Sequence, residues 1–357
     1  MTIVLSYATQ IEWHEGHAIA RALQRLGHDV RVVDADALSL RVDASIDEVL
    51  DAGPDLFIYI EPQGLVPRGL ERANCRTVCV LCDTALSLPP RQDIAKLFDT
   101  VVLYHRDSLD AFPGHGGQVF WMPFALDADL FPPRRQASTP SGPHAPFDVG
   151  YVGSLDGIWS ERRRLLDLLA TRHSASPYGH VVTNDEMARI YRHSRIVFNL
   201  PIVPTITPRV FEAMGAGAML LTGRADNGLD LLFEDGVHLV TFEGDAELME
   251  KAAYYLAHDE ERMAIARAGH ELVTRAHTWE ARLGALLSEL EVKSLELRTR
   301  PAARMSAEAI EDIYQRHYKQ RGAVEALMRT AERARPLSLR WWQSVMSAGM
   351  TQARRQP

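Results

Sequence analysis

The chain has 357 residues, 46% of them apolar and 24% charged. That is the balance of a globular chain rather than a disordered one, at a length that suits two domains. Lys and Arg total 39 against 47 Asp and Glu, a formal charge of −8, which speaks against a nucleic-acid partner. The most apolar stretch, between Glu212 and Arg224, is broken by Gly215 and Gly217 and is too short to span a bilayer. Met1 to Tyr7 shows neither the basic segment nor the cleavage site of a signal peptide, so a cytoplasmic protein is expected.

In chain order, short apolar runs predict strands at residues 2–7, 29–34, 55–60, 76–82, 100–104 and 118–121. Between the first two, Ile19, Ala20, Leu23 and Leu26 recur at helical spacing before the stop signal Gly27. Strands alternating with helices imply βαβ units and a parallel sheet, a Rossmann-like half. The first strand runs into Ser6-Tyr7-Ala8-Thr9-Gln10 rather than a glycine-rich turn, so NAD is not expected. Cys75, Cys79 and Cys82 have the spacing of an iron–sulfur motif. The residues between them are β-prone, however, and an extended chain sets Cys75 and Cys79 about 13 Å apart, so a buried strand is expected instead. A local, odd set of cysteines also agrees with a reducing compartment.

Proline, serine and glycine accumulate over residues 131–147, which predicts a linker. The βα rhythm then restarts. Strands are expected at 148–153, 195–200, 218–222 and near 237–242, with helices at 161–171, 185–193 and 208–215 and from Asp245 onward. The expected domains are therefore 1–130, a linker 131–147, a second α/β domain 148–300 and a helical tail 301–357.

Gly150-Tyr151-Val152-Gly153-Ser154 closes the first strand of the second half, and Arg162-Arg163 lies in the next helix. Glycine at a strand end lets a ligand approach the backbone, and helix amides with arginines attract phosphate. In Pro208-Arg209-Val210-Phe211-Glu212-Ala213-Met214-Gly215-Ala216-Gly217, Pro208 suits the first helical position. Arg209 and Glu212 then share a face, where a cation can meet a phosphate and a carboxylate can accept ribose hydroxyls. An exposed ion pair fits the same spacing.

These residues carry a resemblance. Residues 178–283 resemble the C-terminal half of GT-B glycosyltransferases, most closely the CgeB-like spore-maturation glycosyltransferases. The cadence runs through Gly179, Asn184-Asp185-Glu186-Met187, Tyr191 and Val197-Phe198-Asn199, then Pro208 to Gly217, then His277-Thr278-Trp279 and Arg282. Upstream, Asp148 to Arg163 and Pro123-Phe124-Ala125-Leu126-Asp127 look like the family's domain opening and interdomain crossing. The resemblance implies an α/β GT-B fold, two Rossmann-like domains facing a central cleft, with a nucleotide-sugar donor held by the second.

By that resemblance the donor site comprises Gly153, Ser154, Arg162, Arg163, Asn184, Arg209, Glu212 and Gly215. Arg209 neutralises leaving-group charge and Glu212 binds the ribose. A hexosyl transfer to a glycan, protein or small-molecule acceptor is expected, with no cofactor beyond the nucleotide sugar. Retaining relatives often carry Glu-x7-Glu; the position of the first Glu is Pro204 here, which leaves the stereochemical course open. A silent binding module and a sugar-nucleotide epimerase remain alternatives.

No metal is expected, since basic side chains and helix dipoles offset the diphosphate charge. The two Asp-x-Asp matches, Asp34-Ala35-Asp36 and Asp127-Ala128-Asp129, are read as a strand end and part of the crossing. The general base is expected on the first domain, at Asp83 after the fourth strand or His14 after the first. The segment from Arg321 carries seven Arg against Glu325 and Glu332, together with Trp341-Trp342. That composition suits either contact with an anionic membrane surface or packing back onto a domain.

Overall fold

The structure, a computed structural model, describes residues 1–35, 45–51, 53–61, 66–115, 118–132, 145–180, 182–203, 205–225, 227–293 and 300–320. Its contacts divide the chain into two units, Met1–Met122 with Leu286–Pro357, and Pro123–Ala285. Each holds its own parallel sheet.

In the first unit six strands order as β2-β1-β3-β4-β5-β6. They are β1 Thr2–Tyr7, β2 Asp29–Asp34, β3 Leu56–Ile60, β4 Arg76–Leu81, β5 Thr100–Leu103 and β6 Val119–Trp121. All adjacent pairs are parallel. Leu56–Ile60 and Thr77–Leu81 are buried along their whole length. Helices cover both faces of a parallel sheet, so central strands read as unbroken apolar runs. Cys79 belongs to this buried ladder, opposite Tyr59, and the three cysteines are free thiols. Helices α1 Gly16–Arg25, α2 Ile46–Val49 and α3 Pro89–Ala95 follow β1, β2 and β4.

In the second unit the order is β10-β9-β8-β7, again all parallel. The strands are β7 Phe147–Gly150, β8 Ser194–Asn199, β9 Met219–Gly223 and β10 Val240–Phe242. Helices α4 Ser160–Ala170, α5 Asn184–Arg192, α6 Pro208–Gly215, α7 Gly244–Ala257, α8 Asp259–Ala276 and α9 Trp279–Lys293 complete it, the last running on across the boundary at 285.

The boundaries differ from those expected at 130 and 300, and the reasons are local. Leu126 N donates to His277 O at 2.8 Å and Trp279 N to Leu126 O at 3.2 Å. This short ladder ties the crossing segment to the second unit. Of the expected linker, residues 133–144 lie outside the described residues. At the other end, α10 Ala307–Gln320 packs into the core of the first unit, with Ile313, Tyr314 and Tyr318 buried there. Arg68 makes a bidentate pair with Glu311 at 2.7 and 2.9 Å. The tail thus packs back as far as residue 320, and the basic segment with Trp341-Trp342 lies outside the described residues. Among the described residues, no helix is long and apolar enough to cross a membrane.

Candidate active site

In open parallel sheets, ligands bind outside the carboxyl ends of the strands. In the second unit those ends are Gly150 of β7 and Asn199 of β8, and α6 starts just beyond. Thr207 precedes α6 in extended conformation, with Pro208 as its first residue. Arg209 therefore sits in the first turn, and its side chain runs back over the strand ends.

Each of its three nitrogens is anchored. Nε donates to Val152 O and to the Tyr191 hydroxyl, both at 3.2 Å. Nη1 donates to Asn199 Oδ1 at 2.7 Å and Nη2 to Val152 O at 2.5 Å. The guanidinium lies over the Tyr151 ring at 4.5 Å. Asn199 is oriented in turn by Thr222 at 2.9 Å and Thr207 at 3.2 Å. A guanidinium has five N–H donors, so two remain for a ligand. Burial lowers the Arg209 pKa, but Tyr191, Tyr151 and Glu212 outweigh it and leave the group firmly charged.

Gly153 has φ of +145°, and a Cβ there would stand 2.4 Å from Arg209 Nη2. Only glycine fits both the backbone and the guanidinium at that turn. Arg162 is buried, donates from Nε to Leu200 O at 2.7 Å, and has its pKa lowered by burial and by the like charge of Arg209. Two guanidiniums close enough to oppose each other form a site that an anion relieves.

Glu212, one turn after Arg209, is half-buried, and no protein hydrogen bond to its carboxylate is present among the described residues. Burial lifts its pKa to about 7, Arg209 opposing the rise and Asp127 adding to it. Among the described residues it is an acceptor without a donor.

The structure thus gathers Gly153, Arg162, Arg209 and Glu212, and adds Tyr151, Tyr191 and Asn199. Of the other expected donor residues, only Ser154 lies in the turn beside Gly153. Arg163, one residue round the helix from Arg162, pairs with Asp156 at 3.1 Å. Ser154 is exposed, and its carbonyl accepts from the Tyr151 hydroxyl at 3.1 Å. Asn184 opens α5, about 10 Å along the helix axis from Tyr191, and Thr183 rather than Asn184 caps that helix. Gly215 is a packing position, since a Cβ there would meet Leu126 Cδ1 at 2.2 Å. Pro204 lies outside the described residues.

In the first unit, Asp83 follows β4 with its carboxylate about half exposed, 3.9 Å from Arg91 Nη2. His14 lies in the loop before α1. Its Nδ1 accepts from Gly16 N at 3.0 Å, and a neutral ring with that bond carries its proton on Nε2, as a donor. Around these two the strand ends carry groups that the sequence pattern did not single out. Glu15 Oε1 accepts from the Cys82 thiol at 2.9 Å. Glu61 forms a buried ion pair with Arg91. His105 is buried beside Asp83, and burial lowers its pKa. Of the two Asp-x-Asp pairs, Asp127 Oδ1 accepts from Asp129 N at 3.1 Å, and Asp36 lies outside the described residues.

Residues 143–288 match a family model described as glycosyl transferase-like. No curated protein sequence matches the chain. Among solved structures, the chain is similar to sucrose-phosphate synthase from Thermosynechococcus elongatus at TM-score 0.57 and 13% identity, covering 82% of this chain and 99% of that one. It is similar to Anabaena HepE, solved with UDP and glucose, at TM-score 0.58 and 14% identity, covering 82% and 100%. A glycosyltransferase from Rickettsia africae matches at TM-score 0.54 and 11% identity, covering 83% and 99%.

Two parallel-sheet Rossmann-like units on one chain are the GT-B fold, and the second unit carries a glycosyl transferase-like domain. Fold and domain together give a chain of GT-B fold whose residues 143–288 are glycosyl transferase-like.

Proposed function

We propose that the protein moves a hexosyl group from a nucleotide-sugar donor to a hydroxyl-bearing acceptor, and that it does so without a metal ion. The observation that carries this reading is the Arg209 guanidinium, immobilised by three anchors, seconded by Arg162, and keeping two N–H groups for a ligand. Charge fixed in place before the reaction stabilises the departing diphosphate at no cost of reorganisation. Glu212 accepts the ribose hydroxyls. Asp83 takes the acceptor proton as the acceptor oxygen attacks the anomeric carbon and the diphosphate leaves with the bonding electrons.

HepE was solved with UDP and glucose, which makes UDP-glucose the first donor to try. The sequence cadence from Gly179 to Arg282 supports a CgeB-like subtype, and the free cysteines support a cytoplasmic setting. A panel of UDP- and GDP-sugars tests the reading through nucleotide release in the presence of EDTA. Release unchanged by EDTA is expected. Activity abolished by EDTA and restored by manganese would remove the metal-free mechanism. A melting shift without release would indicate a binding module, and a new nucleotide sugar would indicate an epimerase.

A further inference from the structure

Among the described residues, Glu61 is the single non-glycine residue with positive φ, at +40°. L-residues hold that conformation only where their surroundings over-determine it, and such outliers collect at functional positions. The surroundings here are specific. Glu61 N donates to Val80 O at 2.7 Å, which continues the ladder with β4. Its carboxylate is 6% exposed and both oxygens are engaged. Oε2 accepts from Cys82 N at 2.7 Å, and Oε1 accepts from Arg91 Nη2.

Both partners flank Asp83. Cys82 N belongs to the residue just before it. Arg91 Nη1 donates to Ser87 O at 2.8 Å, closing the turn in which Leu86 N and Ser87 N donate to Asp83 O at 3.1 and 3.2 Å. Arg91 Nη2 then stands 3.9 Å from Asp83 Oδ2, too far for a hydrogen bond. A purely structural ion pair needs only the Glu61–Arg91 contact. Here the second oxygen fixes the backbone that carries Asp83.

We infer that Glu61 is a positioning residue for Asp83. It sets the direction of the Asp83 carboxylate and holds Arg91 off it, so that the carboxylate is left to face the acceptor hydroxyl. The inference rests on the reading of Asp83 as the base. The proton passes from the acceptor O–H to Asp83 as the new C–O bond forms and the bond to the diphosphate oxygen breaks. His105 faces Asp83 as well, and its burial keeps it neutral there.

The test compares Glu61→Gln, Asp83→Asn and the double variant, using nucleotide release from UDP-glucose and GDP-mannose, with a crystal structure of Glu61→Gln. The single Glu61 variant should lose tenfold or more in kcat, with KM for the donor within twofold of wild type. The double variant should be no slower than Asp83→Asn alone. In the crystal structure Arg91 should close onto Asp83 to hydrogen-bonding distance. Losses that multiply in the double variant, a change confined to KM, or an Arg91 that stays in place would overturn the inference. If Glu61→Gln does not fold, Arg91→Gln replaces it, with the same non-additivity with Asp83→Asn expected and multiplying losses counting against the inference. If wild type releases nucleotide from neither donor, the proposed function is in question, and the position of Arg91 still decides the role of Glu61.

Discussion

Arg209 and Tyr191 secure each other over the strand ends of the second unit. Arg209 Nε donates to the Tyr191 hydroxyl at 3.2 Å, and that hydroxyl donates to Val152 O at 3.3 Å. The tyrosine is fully buried, and burial raises its pKa, so it stays protonated and keeps both roles. One phenol thus joins α5, the Gly150–Ser154 turn and the first turn of α6.

Tyr191→Phe removes that joint while keeping the ring. A buried hydrogen bond of this kind contributes about 0.5–1.5 kcal/mol, so a modest fall in Tm is expected. UDP binding should weaken by a few-fold because the guanidinium loses one anchor. Calorimetry and a thermal melt check both, and unchanged UDP affinity would show that Val152 and Asn199 suffice to hold Arg209.

Glu212 gives a pH dependence with a definite sign. Its folded pKa, about 7, exceeds the unfolded carboxylate value, so the folded state keeps a proton that the unfolded state releases. Stability from this group is complete below the unfolded value, declines between about pH 4.5 and 7, and is flat above. Glu212→Gln removes the penalty and should raise stability at pH 8 by up to about 3 kcal/mol. It should also weaken UDP binding, since an amide oxygen accepts less strongly than a carboxylate. In wild type, UDP affinity should rise several-fold from pH 6 to pH 8. Urea unfolding and titration calorimetry at both values check the pair, and a variant no more stable at pH 8 would contradict it.

His14 should act as a donor. With its Nδ1 occupied by Gly16 N, His14→Gln keeps a donor and should retain most of the turnover. Asp83→Asn should lose about 10²–10⁴, the usual contribution of a general base. Steady-state nucleotide release distinguishes the two, and equal losses would return the imidazole to the role of base.

The parallel sheets were legible because their central strands are buried on both faces, so 56–60, 78–81 and 196–198 read as apolar runs. The start of α6 was legible from Pro208. Arg209 and Glu212 were legible as a shared face at that start. What the pattern could not convey was direction. Arg162 and Arg163 are neighbours in sequence, yet helical rotation buries one near Arg209 and turns the other to Asp156. Gly215 looked like a ligand position, and Leu126, 89 positions earlier in the chain, takes the space where its Cβ would be. Glu61 carried one local signal, a lone charge closing an apolar strand, but its left-handed backbone and its partner Arg91 are products of the tertiary fold.

The central claim is that the second unit holds a nucleoside diphosphate through the Arg209 fork. Lysine keeps the charge at that position but not the planar fork. The direct measurement is calorimetric titration of UDP and GDP into wild type and Arg209→Lys, with a melt showing that the variant is folded. The account predicts that wild type binds at least one of the two and that Arg209→Lys binds it roughly tenfold or more weakly, the loss of one charge-assisted hydrogen bond. Equal affinity in the folded variant, or no binding of either nucleotide to wild type, would contradict it.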